Sequence, residues 1–80
     1  MDLVSRVGLS RVLPAPVERR GRRLALGIGQ RELAAELGVT VQTLWAWETG
    51  RTTPAGANRH RYAHVLASMS EALRGRGETE

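Results

Sequence analysis

Residues 30–49, QRELAAELGVTVQTLWAWET, constrain the fold of this 80-residue chain more than any other segment. Residues 30–37 are mostly strong helix formers, and Gly38 follows them where a helix commonly ends in a left-handed residue. Thr40 is a good N-cap for a second helix over 41–48, and Gly50 ends that helix. The segment therefore predicts two short helices joined by a tight turn.

The side chains between these two helices fit a steep crossing. Ala34 supplies the small side chain that the closest contact needs, and Gly38 supplies a compact turn residue. Apolar residues occupy the positions of a wedge between the helices: Leu33, Leu37, Val39, Leu44 and Trp47. Together these positions predict a helix-turn-helix.

The pattern resembles the Xre family, the lambdoid-phage repressor and Cro type of DNA-binding domain, over about residues 17–70. WETGRTTP is similar to the Glu-x-Gly-x-x-x-Pro exit from that family's recognition helix, through Glu48, Gly50 and Pro54. The chain departs from the family at Gly29, where a Ser or Thr cap is usual, and at Arg59, where an apolar residue is usual. The resemblance implies an all-α, lambda-repressor-like domain of four or five helices.

The other helices are predicted from spacing and end signals. Pro16 suits the first position of a helix that continues over 17–26, with Gly27 after its end. We expect this helix to bury Val17 and Leu24 and to leave its arginines solvated, namely Arg19, Arg20 and Arg22. A long last helix is predicted to be capped by Asn58, with apolar residues recurring at helical spacing: Tyr62, Val65, Leu66, Met69 and Leu73.

The predicted organisation is a single domain flanked by short ends. Residues 1–14 are an N-terminal extension in which 3–13 form a short amphipathic helix, 15–74 form the helix-turn-helix domain, and 75–80 form a flexible tail. The chain has no cysteine, which excludes a disulfide framework and a thiolate zinc site. The core must therefore come from aliphatic residues and the two tryptophans.

Charge and hydropathy indicate the class of partner. All twelve basic residues are arginines, against eight acidic residues, for a net charge of +4. The planar guanidinium suits phosphate, although a genome rich in arginine codons would produce the same surplus. There is no run of 18 apolar residues, and Asp2 stands where a signal peptide would be basic. We expect a cytoplasmic, nucleoid-associated protein with no membrane partner.

A helical wheel separates the two faces of residues 41–48. Val41, Gln42, Trp45 and Ala46 share one arc, on which Thr49, the next residue after the helix, also falls. Thr43, Leu44, Trp47 and Glu48 share the opposite arc. Trp47 is therefore predicted to be buried and Trp45 to face outward. An outward arc of this kind is what a recognition helix presents to the major groove of DNA.

Base contacts are predicted on the outward arc. The amide of Gln42 can pair with the N6 and N7 edge of adenine, and Val41 can pack on a thymine methyl group. The resemblance places Val41, Gln42 and Ala46 at base-contacting positions, with Trp45 beside them. For Trp45, three roles remain open: contact with the groove wall, contact with another subunit, or cover for its neighbours.

Phosphate contacts are predicted around the motif. Gln30 begins the first helix of the motif, where its side chain and free backbone N–H groups can bind a phosphate, and the resemblance gives it the same role. Arg51 and Arg59 are further candidates, with solvated surface positions as the alternative, and Thr43 and Thr52 can add hydroxyl contacts. The resemblance also implies an ion pair between Arg23 and Glu48 that tethers the recognition helix.

No catalytic, metal or cofactor site is predicted. His60 and His64 are four residues apart but have no clear third ligand. Gly27 and Gly29 form a G-x-G without a preceding strand, which is not a dinucleotide fingerprint. No serine has an organised base and acid partner, so we do not expect an enzyme or a small-molecule substrate.

The sequence predicts a sequence-specific double-stranded DNA-binding transcriptional regulator of phage or bacterial type, either repressor or Cro-like. Useful specificity normally needs a homodimer on a two-fold operator, and the last helix or residues 3–13 would supply its interface. Two alternatives remain. One is an excisionase-like architectural protein, which would add a β-hairpin wing, and the other is an antitoxin-type interaction module anchored by Trp45.

Overall fold

The computed structural model describes residues 13–78, which form four helices and no strand. The helices are α1 (Pro16–Ala25), α2 (Gln30–Leu37), α3 (Val41–Glu48) and α4 (Gly56–Glu78). The prediction of an all-α domain is confirmed, and α2 and α3 have the predicted bounds. The helix predicted over 3–13 lies outside the described residues except for Leu13, which packs against the core without being helical.

The turn between α2 and α3 has the geometry that its sequence predicts. Gly38 has a φ of +72°, a left-handed conformation that costs an L side chain about 1–2 kcal/mol. The N–H of Val39 donates to the carbonyl of Ala34 at 3.0 Å, which closes the end of α2. Thr40 caps α3, because its hydroxyl oxygen accepts from the N–H of Thr43 at 3.0 Å. These bonds fix the angle between the two helices.

The core lies where α4 packs against α1 and α2, and where Tyr62 of α4 reaches Trp47 of α3. It contains four of the five wedge residues predicted between α2 and α3, and the fifth, Val39, is partly buried against it. Ala34 is almost completely buried at the crossing. Tyr62 stacks on Trp47, with ring centroids 5.2 Å apart. The buried hydrophobic residues are Leu33, Ala34, Leu37, Leu44, Trp47, Tyr62, Leu66 and Met69. α3 is therefore attached to the core by its inner face.

The two ends of α4 differ from their predictions. The helix begins at Gly56, and the N–H of Arg59 donates to the carbonyl of Ala55 at 3.3 Å. Asn58 is an exposed residue of the first turn, so its predicted capping role is wrong. The chain enters the helix two residues after Pro54, which is buried. At the other end, α4 continues to Glu78, beyond the predicted start of a tail at 75.

The orientation of α1 also differs from its prediction. Val17 is 73% exposed and Leu24 is 52% exposed, whereas Arg19 is only 5% exposed. The inward face of α1 carries Arg19 and Arg23, one turn apart, with the half-buried Arg22 beside them. Each of these side chains reaches a hydrogen-bond acceptor in another part of the fold, which makes its burial possible.

Arginine side chains bind the C-terminal ends of all three short helices. Arg76 donates to the carbonyl of Ala25 in α1 at 3.0 Å, and Arg61 donates to that of Leu37 in α2 at 3.0 Å. The carbonyl of Trp47 in α3 accepts from Arg19 at 2.9 Å. The last carbonyls of a helix lack partners within the helix and carry partial negative charge, which favours a cation there.

Two further properties concern residues 13–78 as a whole. Within this range, no three His, Asp or Glu side chains are grouped as metal ligands would be. His60 and His64 are both exposed on α4. None of the four helices is long and apolar enough to cross a membrane.

Candidate nucleic-acid interface

The outer face of α3 is the surface that the wheel predicted. Val41 is 39% exposed and Trp45 is 43% exposed, and Gln42 is exposed between them in sequence. Ala46 is half-buried on the same face. Trp47 is only 4% exposed, so the different environments predicted for the two tryptophans are confirmed. One helix thus presents a free face while its other face is part of the core.

Trp45 is in contact with Arg51. The Arg51 guanidinium carbon lies 5.0 Å from the centroid of the Trp45 ring, which is a cation–π arrangement worth about 0.5–1 kcal/mol at an exposed site. The backbone holds Arg51 in place, because its N–H donates to the carbonyl of Ala46 at 2.9 Å. The pair sets an exposed positive charge against the aromatic ring at the C-terminal end of α3.

Arg23 and Glu48 form a buried ion pair between α1 and α3. Arg23 Nε donates to Glu48 Oε2 at 2.7 Å, and Nη2 donates to Oε1 at 2.9 Å. The Glu48 side chain is fully buried. Its hydrogen bond raises the pKa of Arg23, so the guanidinium is charged at all relevant pH values. The structure thus brings together the two residues that the resemblance pairs.

Gln30 joins this ion pair. Its Nε2 donates to Glu48 Oε1 at 3.1 Å, so α1, α2 and α3 meet at one carboxylate. The amide nitrogen of Gln30 has a second hydrogen beyond the one given to Glu48. Gly29 makes no side-chain cap at the start of α2, as its departure from the family pattern predicts. The side chain that was expected to bind phosphate is therefore oriented by the ion pair.

The other predicted phosphate contacts lie in different environments. Arg51 and Thr52 are exposed after α3. Arg59 is half-buried and lines the same surface cleft as Thr52. The hydroxyl of Thr43 accepts a hydrogen bond from Thr40 at 2.9 Å, so it is part of the cap of α3. The candidates therefore do not form a single cluster.

The structure adds one residue that the sequence reasoning did not place at the interface. Arg20 is exposed on α1 and lines a cleft of about 630 Å³ together with Gln30, Trp45 and Thr49. Arg20 stands three residues before Arg23, a spacing that puts the two on neighbouring positions of one helix surface. Once Arg23 is paired with Glu48, this spacing is the sequence signal that could have placed Arg20 at the interface.

Most of this chain matches a known protein family. The helix-turn-helix family model matches residues 20–73, which include all of α2 and α3. The chain belongs to the Xre-type helix-turn-helix family. Proteins of the helix-turn-helix class bind double-stranded DNA and regulate transcription, and they are not typically enzymes.

A relative of this Xre-type protein has a similar sequence over the same motif. It is described as an uncharacterized HTH-type transcriptional regulator of Methanothermobacter thermautotrophicus. The two chains are 47% identical over 47 residues, which cover 59% of this chain and 68% of the relative. No solved structure matches the chain at the same level of significance.

Proposed function

We propose that this protein is a sequence-specific transcriptional regulator of phage or bacterial type, repressor or Cro-like, that inserts α3 into the major groove. The observation that carries the proposal is the free outer face of α3 on a helix whose inner face is buried. A rigidly held helix presents its side chains to base edges in a fixed geometry, which sequence-specific binding requires.

The outer residues have complementary roles in this proposal. Gln42 pairs with the N6 and N7 edge of an adenine. Val41, Trp45 and Ala46 pack against base edges and sugars in the groove. Since the ion pair of Arg23 and Glu48 holds α3 on α1, it acts as a tether and makes no contact with DNA.

The phosphate contacts flank this helix. Gln30 and Arg20 lie on one side of α3, beside the cleft that Trp45 lines. Arg51 and Thr52 follow the end of α3, with Arg59 at the neighbouring cleft. Such contacts orient a protein on the duplex without reading its sequence. Thr43, in the first turn of α3, contributes a further phosphate contact.

The proposed binding unit is a homodimer on a two-fold symmetric operator. One α3 offers only a few base contacts, and specific affinity generally needs two half-sites. In helix-turn-helix dimers the half-sites lie about 34 Å, or one turn of DNA, apart.

The dependence of DNA affinity on salt tests the proposal. If about six phosphates are neutralised, log Kd should change with log salt concentration with a slope near 5. Arg51→Gln should reduce that slope by about one. The matched control is Arg74→Gln, since Arg74 is exposed on α4 and paired with Glu71, and it should leave the slope unchanged. DNA binding that is insensitive to salt would overturn the proposal.

The structure bears differently on the two alternatives. A winged architectural protein needs a hairpin after its recognition helix, whereas α4 follows here and residues 13–78 contain no strand. An interaction module is compatible with the exposure of Trp45. The variant Trp45→Ala distinguishes the interaction module from the main proposal. If it no longer binds a protein partner but still binds DNA, the interaction module is favoured.

A further inference from the structure

The outer face of α3 has few groups that can hydrogen-bond to bases. Of its four side chains within α3, Val41 and Ala46 are apolar, Trp45 is apolar except for its indole N–H, and Gln42 alone carries an amide. No charged side chain stands on this arc. Base recognition through hydrogen bonds alone would therefore depend on the Gln42 amide and the single indole N–H of Trp45 in each subunit.

Two polar side chains next to this face, Thr49 and Gln30, are partly used within the protein. The hydroxyl of Thr49 donates to the carbonyl of Trp45 at 2.9 Å. The Gln30 amide donates to the buried Glu48 carboxylate. Because these bonds use part of the hydrogen-bonding capacity beside the face, the apolar side chains of α3 make up most of the surface that remains for discriminating between bases.

The major groove displays one apolar group that varies with sequence, the C5 methyl group of thymine. Cytosine lacks it, and 5-methylcytosine carries a methyl group at the same position. Val41 and Trp45 are one helical turn apart on one face and are both partly exposed, so they can cover two such groups. Arg51 lies against the Trp45 ring and restrains it before any DNA binds, which reduces the ordering cost of the contact.

We propose that α3 reads DNA chiefly through C5 methyl groups of pyrimidines, with Val41 and Trp45 as the methyl-contacting residues and Gln42 reading one adenine. The inference rests on the proposed DNA-binding function and specifies the chemistry that the site recognises. Each methyl group that is buried on binding should strengthen affinity about fourfold, which corresponds to about 0.8 kcal/mol.

The test starts from duplexes selected by the full chain from a random DNA pool. Each thymine of the selected half-site is replaced by deoxyuridine, which removes only the methyl group, and Kd is measured. We expect a three- to fivefold weaker Kd at one or two positions in each half-site. Replacing such a thymine–adenine pair by a 5-methylcytosine–guanine pair should recover more affinity than the unmethylated cytosine–guanine pair does.

Two protein variants assign the effect to residues. Trp45→Ala should abolish the uracil penalty at one position, and its thermal midpoint should stay near that of the wild type because the ring is partly exposed. Gln42→Ala is the matched control on the same face. It should lose discrimination at the adenine and keep every uracil penalty.

The outcomes separate this inference from the function on which it rests. Enrichment of a half-site whose affinity changes less than 1.5-fold at every uracil substitution would overturn methyl reading and leave sequence-specific binding intact. A Trp45→Ala protein that keeps every uracil penalty would also overturn it. A pool from which no sequence is enriched would overturn the proposed function and this inference together.

Discussion

Glu48 is the residue on which the geometry of α3 depends most directly. Its buried carboxylate accepts two hydrogen bonds from Arg23 and one from Gln30. Only the family resemblance predicted the pairing with Arg23. Neither the resemblance nor the residue pattern predicted the hydrogen bond from Gln30. A bond between side chains 18 residues apart in sequence follows from the packing of α2 on α3, which no local pattern encodes.

Glu48→Ala should destabilise the fold by about 3–5 kcal/mol, because it leaves the buried Arg23 without its counter-charge. Chemical denaturation measures this change, and DNA affinity should fall with it. Glu18→Ala is the matched control, since Glu18 pairs with Arg22 at the surface of α1, and it should cost no more than about 0.5 kcal/mol. Lost DNA binding at unchanged stability would contradict the tethering role.

Tyr62 is fully buried at the centre of the core, and burial raises the pKa of its hydroxyl above the usual 10. The hydroxyl has no hydrogen-bond partner within residues 13–78. Tyr62→Phe removes a buried polar atom while keeping the ring that stacks on Trp47. We therefore expect the variant to be as stable as the wild type or more stable by about 1 kcal/mol.

The raised pKa of Tyr62 also predicts how stability depends on pH. Below pH 10 the tyrosine is neutral in both states, and the stability it contributes is fully present. Above pH 10 the unfolded chain loses the proton first, so the free energy of unfolding should fall as pH rises toward the folded-state pKa. Denaturation curves between pH 8 and 11 measure this decline, and an equal decline in Tyr62→Phe would contradict its assignment to Tyr62.

Among the elements, α1 shows where sequence patterns stop being informative. Its end signals were sufficient to place it, from Pro16 at the start to Gly27 after the end. Its inward face could not be predicted, because arginine counts as polar in any hydropathy pattern. Arg19 is buried only because the carbonyls of Pro14 and Trp47 and the ring of Tyr62 surround its guanidinium.

Arg19→Met should loosen the end of α3 while retaining an unbranched side chain of similar length. It removes the guanidinium hydrogen bonds to the carbonyls of Pro14 and Trp47, of which the latter keeps a 3.4 Å bond from the N–H of Gly50. We expect a loss of about 2–4 kcal/mol in the free energy of unfolding. The adjacent Arg20→Met is the matched control, and since Arg20 is exposed its stability should change by about 0.5 kcal/mol or less. Equal stability of the two variants would contradict the stabilising role of the Arg19 hydrogen bonds.

α2 and α3 were predictable because their signals are local. A threonine cap, a left-handed glycine and apolar residues at helical spacing define both helices without reference to the rest of the chain. The start of α4 was not predictable in this way. Asn58 is a residue type that commonly caps helices, but it stands two residues inside this one. Here the chain following Pro54 determines where the helix begins.

At the scale of the whole molecule, the arginine surplus has two uses. Within residues 13–78, the arginines that donate to backbone carbonyls and thereby connect parts of the fold include Arg19, Arg22, Arg23, Arg61 and Arg76. Arg20 and Arg51 are exposed beside Trp45 and form the basic part of the proposed interface. Amino-acid composition does not distinguish among the twelve arginines. It therefore predicts the sign of the net charge of the protein but not which arginines are available to a partner.

The central claim is that the outer face of α3 reads a DNA sequence. Binding-site selection from a random pool, run in parallel on the wild type and Gln42→Lys, tests it most directly. The wild type should enrich two related half-sites about one turn of DNA apart, and the variant should prefer guanine over adenine at one position in each. Failure to enrich any sequence, or identical sequences from both proteins, would contradict the claim.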